Sequence, residues 1–204
     1  LKTKTLILTE FCYIIIYILL LGEMSMKSIY IVISQTGTWL STLIKLYTKE
    51  QYNHVSLSLE NSLSDMYSFG RINPVNPFSG GFARESIYDG VYKMFPNCRC
   101  AVYRLRVTDE QYEKIQKIIE DFKIKRDQYR YNFLGLFFIA LHMDKPRKRH
   151  YFCSQFVSEV LERSGVVKFD KPFHLITTKD LMNIPNLHPV FEGYSRQVEE
   201  PVIY

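Results

Sequence analysis

The sequence predicts an α+β protein in which helices pack against an antiparallel sheet. Short segments rich in β-branched and aromatic residues have strand character, and the clearest of them, residues 52–60, alternates strictly between apolar and polar residues. Residues 109–122 and 152–165 instead carry apolar residues at helical spacing. The predicted order of strand, helix, hairpin, strand, helix, helix and strand indicates grouped helices on an antiparallel sheet, not a parallel α/β fold.

Composition and charge narrow the class of protein. The chain has 204 residues, of which 47% are hydrophobic, so it can bury a substantial core. The net charge of +5 fits an anionic ligand or a peripheral contact with a membrane surface, but it is too small to indicate a nucleic-acid partner. Four cysteines lack the paired spacing of a zinc site, so we expect free thiols in a reducing compartment, with no metal and no cofactor.

The first 25 residues are predicted to lie outside the folded domain, which we expect to span residues 26–204. The apolar run at residues 11–22 is shorter than a bilayer span, and no small-residue cleavage site follows it. The chain begins with Leu1, and Leu-Gly-Glu before Met24 can be encoded by a purine-rich ribosome-binding sequence. We therefore expect a non-native upstream extension and a cytoplasmic protein. An uncleaved membrane anchor is the alternative.

The first half of the domain begins with a strand and a helix. Residues 28–34 form a short β-branched run that predicts a buried strand, and a helix capped by Thr38 is expected over residues 38–47. A hairpin follows, with strands at residues 52–60 and 66–69. His54 begins its first strand and lies on the polar face, while Val55 and Leu57 lie on the apolar face.

The second half is predicted to begin with a long ordered loop, residues 70–97, with short strands at residues 82–83 and 90–92. A strand at residues 100–107 leads into a helix capped by Thr108. The apolar residues 131–141 are too few to span a bilayer and indicate a buried helix or groove wall. A short capped helix at residues 177–182 and a strand at residues 189–194 complete the domain.

A cysteine lies in the first turn of the helix at residues 152–165. Gly165 ends this helix, and its apolar face is formed by Phe152, Phe156, Val157, Val160 and Leu161. At that position the helix dipole and unpaired backbone N–H groups favour the thiolate of Cys153. A thiolate of this kind is a catalytic nucleophile when a base is nearby. Taken alone, a cysteine on such a helix more often has a packing role, because free cysteines usually behave as small buried hydrophobic residues.

Three strings, in their order and approximate spacing, resemble one superfamily. They are Tyr-Asn-His-Val at residues 52–55, Tyr-Asn-Phe-Leu-Gly-Leu at residues 131–136 and Phe-Cys-Ser-Gln-Phe-Val at residues 152–157. The His precedes the Cys, the reverse of ordinary papain-like chains. The pattern resembles the circularly permuted NlpC-type papain-like cysteine hydrolases, closest to their YiiX-like bacterial branch, which has lecithin:retinol acyltransferase-like relatives. The resemblance covers residues 28–194.

The resemblance implies a catalytic set and a chemistry. Cys153 is then the nucleophile and His54 the base, and a polar third residue lies on the strand after the His, where we select Ser68. The implied function is a cysteine amidase, peptidase or acyl-ester hydrolase that acts on a peptide, amide or lipid-type substrate. Two alternatives remain, a lipid or peptide acyltransferase and a non-catalytic binding module. The basic run at residues 145–150 would attract an anionic substrate or lipid headgroup.

Overall fold

A computed structural model describes residues 25–35, 51–72, 79–132 and 147–199. The main strands are β1 Met26–Gln35, β2 His54–Ser58, β3 Met66–Arg71, β4 Gly80–Glu85, β5 Arg99–Thr108 and β8 His188–Tyr194. The helices are α1 Gly90–Met94, α2 Asp109–Ile124, α3 Cys153–Arg163 and α4 Thr178–Met182. Two short strands, β6 Arg130–Tyr131 and β7 His150–Tyr151, pair in parallel just before α3. The helix predicted at residues 38–47, most of the apolar segment at 131–141 and the N-terminal apolar run lie outside the described residues.

The six main strands form one antiparallel sheet in the order β4-β3-β2-β1-β5-β8. Helix α3 packs on one face of this sheet, where its apolar residues share a core cluster with Ile31, Ile33 and Val55. The α2 residues Ile115 and Phe122 belong to the same cluster. The α+β class and the packing of the cysteine helix against an antiparallel sheet are therefore confirmed.

The second face of the sheet is covered as well. A smaller core cluster contains Val32 of β1, Met66 of β3 and Tyr92 of α1. The predicted polar face of β2 consequently lies inside the protein, and Ser56 and Ser58 are fully buried. Because buried hydroxyl groups require hydrogen-bond partners, the Ser56 and Ser58 side chains are held in defined hydrogen bonds, which an exposed polar face would not require.

Several local predictions are confirmed by the structure. The strand expected at residues 28–34 is β1, the hairpin strands are β2 and β3, and residues 100–107 lie within β5. Thr108 caps α2 in a capping box with Gln111, and Thr177 does the same for α4 with Asp180. Helix α3 ends at Arg163, and Gly165 beyond it has a φ of +75°, the left-handed conformation that glycine adopts easily.

The long loop predicted between residues 70 and 97 is more regular than expected. The strand expected at residues 82–83 is the longer β4, which runs along β3 and ends at Glu85. The strand expected at residues 90–92 is wrong, because these residues form the first turn of α1. A run of three residues is too short to distinguish strand from helix by periodicity, and Tyr92 is buried by α1 packing on the second face of the sheet.

An aromatic cluster fixes α3 on the sheet. The ring of Phe156 lies 5.7 Å from that of Phe69, 5.5 Å from that of Phe82 and 5.1 Å from that of Phe122, measured between centroids. These rings come from β3, β4 and α2, so the Phe156 side chain joins the cysteine helix to both the sheet and α2. Phe156 is three residues after Cys153 and thereby helps to set the depth of the helix N-terminus. Within the described ranges, no helix is long and apolar enough to cross a membrane.

Candidate active site

Cys153 is the first residue of α3. Phe152 precedes it as the N-cap in an extended conformation, with φ −93° and ψ 164°, and its carbonyl accepts the first helical bond from the Phe156 N–H at 3.1 Å. The cysteine is 6% exposed and belongs to the main core cluster. The first backbone N–H groups of a helix have no acceptor within the helix, so this end offers donors beside the thiol.

His54 lies at the start of β2, where it pairs across the sheet with Ser34 of β1. Its Nε2 atom is 3.0 Å and 3.1 Å from the two carboxylate oxygens of Glu85. Both side chains are largely buried, with exposed fractions of 15% and 16%. The histidine therefore has an acidic partner inside the protein, and that partner is Glu85.

Glu85 comes from the end of β4, and β3 separates β4 from β2 in the sheet. Its carboxylate reaches His54 beside Gly70 of β3. A Cβ atom at Gly70 would lie 3.1 Å from Glu85 Oε1 and 3.2 Å from His54 Cε1, both closer than ordinary contacts. The absence of a side chain at residue 70 therefore makes room for the pair. The Ser56 hydroxyl also donates to Glu85 Oε2 at 2.6 Å.

The surroundings of His54 favour its protonated form. Burial alone would lower the pKa of His54, but the charge of Glu85 and hydrogen bonds to Cys153 and Glu85 outweigh it, and the pKa is raised well above 6.5. Because Glu85 and Ser56 lie at Nε2, we assign the hydrogen bond with the thiol to Nδ1. The imidazole thus lies between a thiol and a carboxylate, the arrangement needed for a thiolate–imidazolium pair.

Ser68, which the sequence suggested as the third residue, does not contact the ring. It is fully buried on β3, and its hydroxyl donates to the Val55 carbonyl at 2.6 Å and to the Phe69 carbonyl at 3.5 Å. The bond to Val55 joins β3 to β2 next to His54, where the paired register of the two strands has already ended. The structure therefore gives Ser68 a backbone-bonding position, and the polar side chain beside the His54 ring is that of Glu85 on β4.

The sequence prediction does not include Glu85 for a physical reason. The third residue is expected on the strand directly after the His, whereas the Glu85 carboxylate comes from the next strand and reaches His54 beside Gly70. The signal that was present is local: Gly81, Ala83 and Glu85 alternate along one face of a segment that includes Phe82. Its position in a region rich in Gly and Pro obscured this alternation.

The other thiols on the described part of the chain differ from Cys153. Burial raises the pKa of Cys98 to about 12 and that of Cys100 to about 12, so both remain neutral thiols near pH 7. Neither lies beside His54 in the structure, since both belong to the smaller core cluster. Among the described cysteines, Cys153 is thus the one with an imidazole next to its sulfur.

An aromatic residue borders the thiol on the side of the short parallel strands. The ring of Tyr131 packs edge-to-face on Phe152 with centroids 6.2 Å apart. Burial and, secondarily, the charge of Cys153 raise the pKa of the Tyr131 phenol. Tyr131 therefore stays neutral and forms an apolar wall beside the nucleophile. Tyr131, the first residue of the second of the three strings, is thus in contact with Phe152, the first residue of the cysteine string.

The basic segment before α3 is partly ordered by its own contacts. Arg147 donates to Asn132 Oδ1 at 3.2 Å and contacts His150 Nε2 at 3.2 Å, while His150 Nδ1 donates to the Lys148 carbonyl at 2.8 Å. His150 is engaged here and is not a second base for Cys153. Over the part of the chain that the structure describes, no group of three or more His, Cys, Asp or Glu side chains could hold a metal ion.

The first prediction concerns the titration of His54. NMR of histidine-labelled protein should show His54 protonated well above pH 6.5. Glu85→Gln should lower the pKa of His54, because the negative charge that counteracts the effect of burial is then removed. The contribution of the ion pair to the free energy of unfolding should be fully present below pH 6.5. It should be lost as the pH rises through the pKa of His54 in the folded protein. The resonance of His150 serves as an internal control. A His54 that titrates identically in both proteins would contradict the ion pair.

The second prediction uses two glycines that face each other across β3 and β4. Gly70→Ala should destabilise the protein by about 1–3 kcal/mol, because a methyl group there crowds both His54 and Glu85. Gly81→Ala is the matched control, since its Cβ would meet the end of the exposed Ile72 side chain, which can move. Urea unfolding measures both. Equal losses in the two variants would show that residue 70 has no special spatial requirement.

Comparison with known proteins does not assign the chain to a family. No protein-family model matches the sequence, and no curated protein matches it significantly. The interpretation of the site therefore depends on the geometry around Cys153, His54 and Glu85.

Proposed function

We propose that the protein is a cysteine hydrolase of the permuted papain-like type, acting on an amide, peptide or acyl-ester bond. The observation that carries the proposal is the position of the His54 ring between the Cys153 thiol and the Glu85 carboxylate. A merely structural cysteine has no need of a buried imidazole on one side and a carboxylate behind it. Perturbed, paired titratable groups of this kind mark catalytic sites more often than packing sites.

In the proposed resting state the thiol proton of Cys153 is already on His54, which gives a thiolate and an imidazolium. The sulfur of Cys153 then attacks the carbonyl carbon, a C–S bond forms, and the carbonyl π electrons move to oxygen. Backbone N–H groups at the start of α3 are positioned to stabilise this oxyanion. When the oxyanion collapses, the C–N or C–O bond to the leaving group breaks, and the imidazolium supplies its proton to the departing amine or alcohol.

Deacylation uses the same groups in reverse. His54 removes a proton from water, the resulting hydroxide equivalent attacks the thioester carbon, and the C–S bond breaks to give a carboxylic acid and the starting enzyme. An amine or alcohol in place of water would make the reaction an acyl transfer. Glu85 keeps Nε2 protonated, and its negative charge offsets the energetic cost of burying the imidazolium. Both are tasks of the third residue in such sites.

The proposal predicts a covalent acyl-enzyme on Cys153. In the full chain, Cys12→Ser removes the one thiol that lies outside the described residues. This protein should hydrolyse members of a panel of p-nitrophenyl acyl esters or peptide p-nitroanilides, and mass spectrometry should detect an acyl adduct on Cys153. Cys153→Ser should lower turnover on the order of 10³-fold or more. Cys100→Ser is the control and should leave turnover nearly unchanged, because that thiol lies in the other core cluster and its pKa is shifted by burial and Cys98, not by the ion pair.

Two outcomes would contradict the proposal. Turnover that survives in a folded Cys153→Ser variant would place the chemistry elsewhere. Ligand binding from the same panel without turnover or adduct, in wild type and variant alike, would indicate the non-catalytic binding module.

A further inference from the structure

We infer that Ser56 is a positioning residue that holds Glu85 against His54. Ser56 lies two residues after His54 on the same face of β2 and is fully buried. Its hydroxyl is 2.6 Å from Glu85 Oε2 and 3.3 Å from His54 Nε2. One small side chain therefore touches both members of the ion pair.

The direction of these hydrogen bonds follows from chemistry. An ionised carboxylate only accepts, so the single hydroxyl proton of Ser56 is donated to Glu85. A lone pair of Ser56 Oγ is then left facing His54 Nε2. The Nε2–H group is shared between this lone pair and the Glu85 carboxylate. The three groups form a closed triangle in which His54 and Ser56, both of β2, each donate to Glu85.

Glu85 needs this second donor because of where it originates. It belongs to β4, which is not hydrogen-bonded to β2, so the sheet ladder does not fix its distance from His54. A glutamate side chain has several rotatable bonds, and the Ser56 hydrogen bond adds a constraint on the carboxylate beyond its contact with His54. With Ser56 donating to Oε2, rotation away from the imidazole breaks a short, charge-assisted hydrogen bond.

Among the described residues, the Tyr92 phenol and the Cys98 thiol also face Glu85. Burial is the main cause of their raised pKa values, so both are neutral at pH 7. Asp89 and Arg84 line a cavity of about 350 Å³ together with Glu85, and Arg84 is paired with Asp65. A change in His54 titration on removal of the Ser56 hydroxyl therefore reports on the triangle.

Ser58 provides a matched control on the same strand. It is also fully buried and lies on the same face, two residues further along β2. Its hydroxyl donates to the backbone carbonyls of Glu60 and Asp65, both at 2.9 Å. Ser58→Ala therefore removes a buried hydroxyl from β2 without touching the ion pair.

The experiment compares Ser56→Ala with Ser58→Ala in the full chain carrying Cys12→Ser. Ser56→Ala should lower the NMR-measured pKa of His54 and slow alkylation of Cys153 at pH 8 about tenfold, the loss expected for one hydrogen bond to a charged group. Ser58→Ala should leave both unchanged although it destabilises the fold. In a Glu85→Gln background, Ser56→Ala should have no further effect, because Ser56 acts through that carboxylate.

The inference is overturned if Ser56→Ala and Ser58→Ala give the same His54 titration, or if Ser56→Ala has its full effect in the Glu85→Gln background. Should Ser56→Ala fail to fold, exchange of the Ser56 hydroxyl proton with solvent provides the test. This exchange must be slow in the wild-type protein and fast in the Glu85→Gln variant.

The inference deepens the proposed function and rests on it, but the two can fail separately. An unreactive wild-type thiol would remove the proposed function, whereas the His54 titration would still test Ser56.

Discussion

The site depends on the buried ion pair between His54 and Glu85. Removing an imidazolium and a carboxylate from water is costly, and the pair is retained only because its geometry is good and further hydrogen bonds satisfy both groups. The two residues start one strand and end another, with β3 between them. The register of three strands and the missing side chain at Gly70 therefore all have to be correct for the pair to form.

The covering of both sheet faces explains how such a pair stays out of solvent. On one face α3 brings Cys153 down onto the apolar side chains of β1 and β2, and Phe156 anchors the helix among aromatic rings. On the other face the packing of α1 buries the serine-rich side of β2. Cys153 is thus supplied by one layer and His54 by the start of a central strand, while hydroxyl groups complete the hydrogen bonding of the second layer.

Local sequence signals were enough to predict the elements that hold Cys153 and His54. Strict alternation located β2 and the position of His54, and helical spacing with a glycine stop located α3 and Cys153. The third residue was not predictable in the same way, because the contact of Glu85 with His54 joins residues 31 apart across an intervening strand. Ser68 was chosen as a neighbour on the adjacent strand, but its hydroxyl is used by the backbone of β2. The burial of Ser56 and Ser58 was also unforeseen, since a polar face in an alternating strand ordinarily indicates solvent.

The most direct test of a thiolate–imidazolium pair is the rate of alkylation of Cys153 by iodoacetamide as a function of pH, in the full chain with Cys12→Ser and in its His54→Ala variant. A free thiol titrates near pH 8.5 and reacts slowly well below that pH. The pair predicts that Cys153 reacts rapidly there and that the variant does not, while the buried Cys98 and Cys100 remain unmodified in both. Slow alkylation with ordinary thiol pH dependence in both proteins would contradict the pair and leave Cys153 as a structural residue.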